Sequence, residues 1–320
     1  MKMKLLAVAL SAIGVAGSAH AGAIAQSSLV ISNFTFSNAN GGALLNANQF
    51  SSLNIVDTTN LNPTLGAVSN PFTAFSAGGA PLALTTVCAP AACPAALTAP
   101  GPFGNASFPA TVDGALASSS LNGAPITGLP GGFVTPVTAS TNAVASRITS
   151  GAANTTSALT LATSFQFKPL TDLAVIIDFN GLLHLLADAD TLVNAIAGSV
   201  WSINIVNHVT GATVFDWTPD GILNAAITGG TEQADDCDLT RALTVFGPGG
   251  HAVFDCAAGS HYRATTGLLL ATNTYDLSIS HQNQANVLVQ LVPEPSTLLL
   301  AGVALACLGV GFRRKSGSGT

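Results

Sequence analysis

Along the chain, apolar and polar positions alternate with a period of two at several separate places. From Ser157 to Phe167, Leu159, Leu161, Phe165 and Phe167 share one parity, with mostly Ala, Thr, Ser and Gln on the other. That is the pattern of a strand with one buried face. Leu29 to Phe36 (LVISNFTF) has strand composition, and Leu173 to Phe179 (LAVIIDF) is apolar on both parities, as a more deeply buried strand is. Val200 to Asn207 alternates through Trp201, Ile203 and Ile205, and Thr210-Gly211 turns the chain into Ala212 to Trp217, which predicts a hairpin. Thr218-Pro219-Asp220-Gly221 is a further turn. Near the end, Tyr275, Leu277 and Ile279 alternate with Asp276, Ser278 and Ser280, and Val287 to Val292 reads as a last strand.

Two stretches break the pattern. Leu182, Leu185, Leu186, Ala189, Leu192, Val193 and Ile196 recur at helical spacing up to Gly198 and predict one amphipathic helix. His184 and Asp188 then lie four apart on its polar face, with Asp190 nearby. From about Asn62 to Asn154 (62–154) the chain is rich in Ala, Pro, Gly, Ser and Thr, which predicts irregular extended loops and short strands. Short alternating strands between turn residues, with one helix, give the expected fold: mainly β, an antiparallel β-sandwich of jelly-roll type.

The ends carry different information. Met1 to Ala21 has two lysines, an apolar stretch and a small-residue finish at Ala19-His20-Ala21, the layout of a secretory signal helix cleaved by signal peptidase so that the mature chain starts at Gly22. At the other end Pro293-Glu294-Pro295 precedes an uncharged stretch from Ser296 to Phe312, expected to be a transmembrane helix (296–312). Arg313, Arg314 and Lys315 follow and oppose translocation, which leaves residues 316–320 as a cytoplasmic tail and the bulk facing outward. The order of Pro-Glu-Pro, apolar helix and basic cluster over 292–315 resembles the PEP-CTERM sorting signal of Gram-negative bacteria, with lysine at one position where arginine is usual. The resemblance implies recognition by an exosortase that cuts near Pro293, Glu294 and Pro295, transient anchoring in the inner membrane with the ectodomain in the periplasm, then transfer to the cell surface or the medium. It also implies an association with exopolysaccharide and biofilm. The ectodomain is residues 22–291.

Composition narrows the function. Hydrophobic residues make up 48% and charged ones 8% of the chain, against about a quarter charged in ordinary soluble domains. Four basic residues (Arg147, Lys168, Arg241, Arg263) stand against fourteen acidic ones in the ectodomain, a balance of −10 that excludes nucleic acid as a partner. Of five cysteines, Cys307 lies in the C-terminal apolar stretch. The other four allow three pairings, of which the local one, Cys88 with Cys93 and Cys237 with Cys256, is favoured in an exported chain.

Candidate chemistry is sparse. His184 and Asp188 are a candidate charge-relay pair without a nucleophile beside them, more simply a solvated face. Glu232, Asp235, Asp236 and Asp238 offer oxygen ligands for calcium but lack the alternation of an EF-hand loop, so no cofactor is expected. Asp178 and Asp216 are the remaining acids for glycosidase chemistry. Trp201 and Trp217 are candidates for a sugar-stacking surface, core packing being the commoner role. The expectation is a non-enzymatic surface or matrix protein with a structural or adhesive role; the alternative is a domain that binds or cleaves carbohydrate.

Overall fold

The computed structural model describes residues 22–93, 112–189, 193–247, 249–257 and 259–289. The strands, in chain order, are β1 (Ala23–Asn38), β2 (Phe50–Asn54), β3 (Val56–Leu65), β4 (Val68–Ser69), β5 (Phe72–Ala77) and β6 (Leu82–Ala89). They continue with β7 (Gly114–Asn122), β8 (Val137–Arg147), β9 (Gly151–Pro169), β10 (Val175–Ala189), β11 (Val193–Asn207) and β12 (Thr213–Trp217). The rest are β13 (Ile227–Thr228), β14 (Gly230–Asp235), β15 (Arg241–Phe246), β16 (Gly250–Asp255), β17 (Ser260–Thr266) and β18 (Tyr275–Val289).

They form two antiparallel sheets. One has 8 strands in the order β14-β17-β10-β1-β8-β7-β6, with β16 also on β10; the other has 10, in the order β13-β12-β11-β18-β9-β3-β4, with β15 on β11, β2 on β9 and β5 on β3. The inner faces share one core. Two facing antiparallel sheets agree with the sandwich expectation, at a size beyond the eight strands of a jelly roll.

The amphipathic helix expected over 182–196 is not there. Leu182 to Ala189 is the second half of β10, and Val193 to Ile196 opens β11. Leu183, Leu185, Ala187 and Ala189 are fully buried, while Leu182, His184, Leu186 and Asp188 are half-buried on the other face. The run satisfies both periods, because Leu185 and Ala189 belong to either set. Pairing decides: β10 lies against β1 along its length and against β16 and β17 on its other edge, and a helix there would leave those ladders unmade. Asp190 lies outside the described residues.

The Ala/Pro/Gly-rich stretch is also more regular than expected. It contains β7 and the 11-residue β8, and it ends inside the 19-residue β9. Small side chains are no obstacle at these positions, because the ladders supply the order. The predicted hairpin is found, with Ile203 opposite Trp217 and Ile205 opposite Phe215. The two strands expected near the end are one, β18.

Inside, the sandwich has two kinds of filling. At one end Phe179 is the centre of an aromatic cluster, with Trp201 at 4.6 Å, Tyr262 stacked at 4.9 Å, Phe34 at 5.7 Å and Trp217 at 5.8 Å between ring centroids. Toward the other end the inward residues are mostly Ala, Ser, Thr, Asn and His, and the sheets are tied by side chains that reach across. Ser27 donates to the carbonyl of Gly198 (2.7 Å), Ser157 to that of Ser118 (2.7 Å) and Asn283 Nδ2 to that of Thr141 (2.6 Å). His281 Nε2 donates to the carbonyl of Leu29 (3.2 Å), which fixes the tautomer. Facing sheets ordinarily stand about 10 Å apart, too far for a serine hydroxyl to bond the opposite backbone, so this half is the thinner one.

Candidate functional site

Both described ends of the domain meet at the thin end. Ala23 sits opposite Ala189 on β10 and Arg147 on β8. Val289 sits opposite Val193 on β11 and Gly151 on β9. The start of the first strand and the finish of the last therefore emerge side by side, one from each sheet, and Gly22, the expected mature start, is buried there. The β8–β9 connection beside them is held by Asp113, which accepts from the backbone N–H of Ile148 (2.7 Å) and of Thr149 (3.1 Å) and from the Thr149 hydroxyl. Burial works to raise the Asp113 pKa, but these hydrogen bonds and the Arg147 guanidinium at 3.6 Å outweigh it and hold the carboxyl below its usual range. Gly151, at φ +124°, allows Arg147 to lie against its backbone, where a Cβ would stand 2.6 Å from Nη2.

The outer face of the 8-stranded sheet carries charge that the sequence did not bring together. His184 and Asp188 point outward from β10, and since four strand residues separate partners that four helical residues would join, neither touches the other. His184 bonds Asp255 (2.5 Å) and Asp188 faces His251 (3.4 Å), both on β16. Asp178 accepts from Arg263 (3.0 Å) and lies 3.1 Å from His261, both on β17. The charge-relay arrangement is thus corrected to a row of cross-strand pairs. His251, Asp255 and His261 had no sequence signal, because the pairing depends on which strands adjoin β10.

The acidic run is structural in its geometry. Asp235 accepts from the backbone N–H of Asp220 and Gly221 (both 2.9 Å), Asp236 from that of His261 (2.7 Å) and Asp238 from that of Thr240 (2.8 Å). Glu232 is buried, accepts from the Trp217 indole and from the backbone N–H of Asn224, and donates its own N–H to Asn224 Oδ1 (2.9 Å). Burial pushes Asp235 up to about 6, helped by the charges of Glu232 and Asp220. Each carboxylate is turned to a different backbone segment, and among the described residues no three acidic, His or Cys side chains converge as a metal site would need. Two disulfides, Cys88–Cys93 and Cys237–Cys256, match the local pairing, and the second ties the end of this run to the end of β16.

The tryptophan surface is contradicted. Trp201 and Trp217 are both 0% exposed and meet edge to face at 5.8 Å inside the core. Inward parity, shared with Ile203 and Ile205, puts them there. Asp216, one residue from Trp217, points outward and accepts from Asn204 Nδ2 (2.8 Å), on the opposite sheet from Asp178. The expected glycosidase pair is not assembled. A cleft lined by Phe34, Phe36, Phe165 and Ile279 contains one acid, Asp57, among the described residues.

The signal segment with Ala19 and Ala21, the Pro293-Glu294-Pro295 motif, the stretch 296–312, Cys307, the Arg313-Arg314-Lys315 cluster and the tail 316–320 lie outside the described residues. Residues 291–315, which begin two positions after β18 ends, match the family model of the PEP-CTERM protein-sorting motif. The match defines an exported protein that is anchored in a membrane before processing and is processed by an exosortase. It is a PEP-CTERM protein. Comparison with curated proteins and with solved structures gives no match.

Proposed function

We propose that the processed sandwich is a structural or adhesive component of the cell surface or extracellular matrix, linked to exopolysaccharide and biofilm, and that it does its work without catalysis. The observation that carries this reading is the direct succession of the last strand and the sorting motif: Val289 closes β18, and the motif starts at residue 291. What an exosortase delivers is then the sandwich itself, cut from its anchor at the thin end. In support, the groups that suggested chemistry are consumed by the fold, Trp201 and Trp217 in the core and Glu232 in bracing Trp217.

Intact mass and fractionation in an exosortase-positive Gram-negative host and its exosortase-deleted derivative test this. The expected product in the first host starts at Gly22, ends near Pro295 and is found outside the cell. In the second host, and for Glu294→Ala in the first, the chain stays longer and membrane-bound. Release of a normal-sized Glu294→Ala chain overturns the sorting step.

A further inference from the structure

The two outer faces of the sandwich differ in charge. The 8-stranded sheet shows Asp178, His184, Asp188, Asp255, His261 and Arg263. The 10-stranded sheet shows, in three cross-strand rows over six adjoining strands, no charge; Arg241, which opens β15 at the border, is turned over the Phe254 ring (4.2 Å) and pairs with Asp238 (3.5 Å) instead. The sheet's outward positions form cross-strand rows that the register sets out. One runs Thr244, Ile196, Asn286, Asn154, Thr64 across β15, β11, β18, β9 and β3. The next runs Ala242, Gly198, Gln284, Thr156, Asn62, and the one after it Val200, Gln282, Ala158, Asn60, Thr73, reaching β5. Charge returns only where β11 and β18 approach the aromatic end, at Asp216, His208, Asp276 and Lys168.

The face is equipped for hydrogen bonding. Gln284 lies over Gly198, where a Cβ would stand 2.9 Å from its amide nitrogen, so the glycine lets that side chain spread along the sheet. The side-chain amides of Gln282, Gln284 and Asn286 find no hydrogen-bond partner among the described residues, which leaves both donors and acceptors free for a ligand. Phe75, opposite Thr58 on the rim strand β5 and three strands from β18, is 70% exposed and offers an aromatic plane at the edge of the face. With strands about 4.8 Å apart, the six span roughly 24 Å.

We infer that this face is a docking platform for an uncharged polysaccharide. The inference deepens the adhesive reading above and rests on it for the compartment. An anionic polymer would need cations, and the platform has none. Self-associating faces are characteristically apolar, roughly 65% in homodimers; ten of the fifteen positions in these three rows carry amides or hydroxyls, and the large apolar side chains stand at the border, Phe246 (72% exposed) and Leu288 (43%) in the next row toward the thin end. A neutral polymer of hydroxyl groups is both donor and acceptor along its length, and its apolar ring faces stack on an aromatic such as Phe75.

The test uses the full chain in detergent micelles, co-sedimented with insoluble neutral glucan, mannan and galactan and with calcium alginate as the anionic polymer. Binding to at least one neutral polymer and none to alginate is expected. Gln284→Glu and Asn286→Asp, nearly isosteric and solvent-facing, should fold normally and weaken binding roughly tenfold each by placing an unpaired charge against the ligand. Asp255→Asn, on the other face, should leave it unchanged. Failure to bind any neutral polymer, or equal loss with Asp255→Asn, overturns the platform. So does a dimer in size-exclusion chromatography that Gln284→Glu dissociates, which would make this face an interface between copies. The sorting reading is judged separately by release and chain mass, so either inference can fail without the other.

Discussion

The aromatic end and the thin end of the sandwich are two solutions to the same problem of joining two sheets. Around Phe179 the sheets are held by area: Trp201, Trp217, Tyr262 and Phe34 are all buried and within 6 Å of its ring, and such packing is strong but indifferent to small slides. Around Asn283 the sheets are held by directed bonds from Ser27, Ser157, Asn283 and His281 to specific carbonyls opposite, each of modest net worth but sensitive to position. The first half supplies stability and the second sets how the sheets align, at the end from which the chain runs on into the sorting motif.

Three substitutions probe that contrast. Phe179→Ala removes the ring that four others touch and should cost about 3–5 kcal/mol in urea unfolding; a loss no greater than that at the seam would erase the distinction. His281→Gln is next. Burial holds the His281 pKa down at about 3 against an ordinary 6.5, so the neutral side chain contributes stability that is complete above 6.5 and is lost as pH falls toward 3. Between pH 7 and pH 5 the native chain should lose about 2 kcal/mol from this source and the glutamine variant none of it, as thermal unfolding at the two pH values will show. The smallest effect is expected of Asn283→Ala, about 1 kcal/mol, because it strands the Thr141 carbonyl but also removes Asn283 Oδ1, itself buried without a partner.

What the sequence revealed followed the same division. Strands whose inward side chains are large, such as Trp201 to Ile205 and Phe165 to Phe167, announce themselves by alternation. Where the inward residues are mostly Ala, Ser and Thr, as in β7 and β8, apolar contrast fades and the run is read as loop; in the second half of β10 the outward Leu182 and Leu186 are apolar as well as the inward Leu183 and Leu185, and the run is read as helix. The tryptophans were visible but not their burial, since parity places a side chain on a face without saying which face is covered. The sorting motif and both disulfides were legible because each depends on order and spacing along the chain. The cross-strand His–Asp pairs and the uncharged platform were not, because they exist only once distant strands become neighbours.

The placement of β18 has a mechanical consequence. It lies between β11 and β9, paired with both along nearly its whole length, and a tether at Val289 pulls parallel to its axis. Under tension from the anchor, the rungs on both flanks are loaded together in shear, whereas a strand peeled from a sheet edge gives up its rungs one after another. A sandwich held by its tail against flow would thus resist extraction with the whole ladder at once.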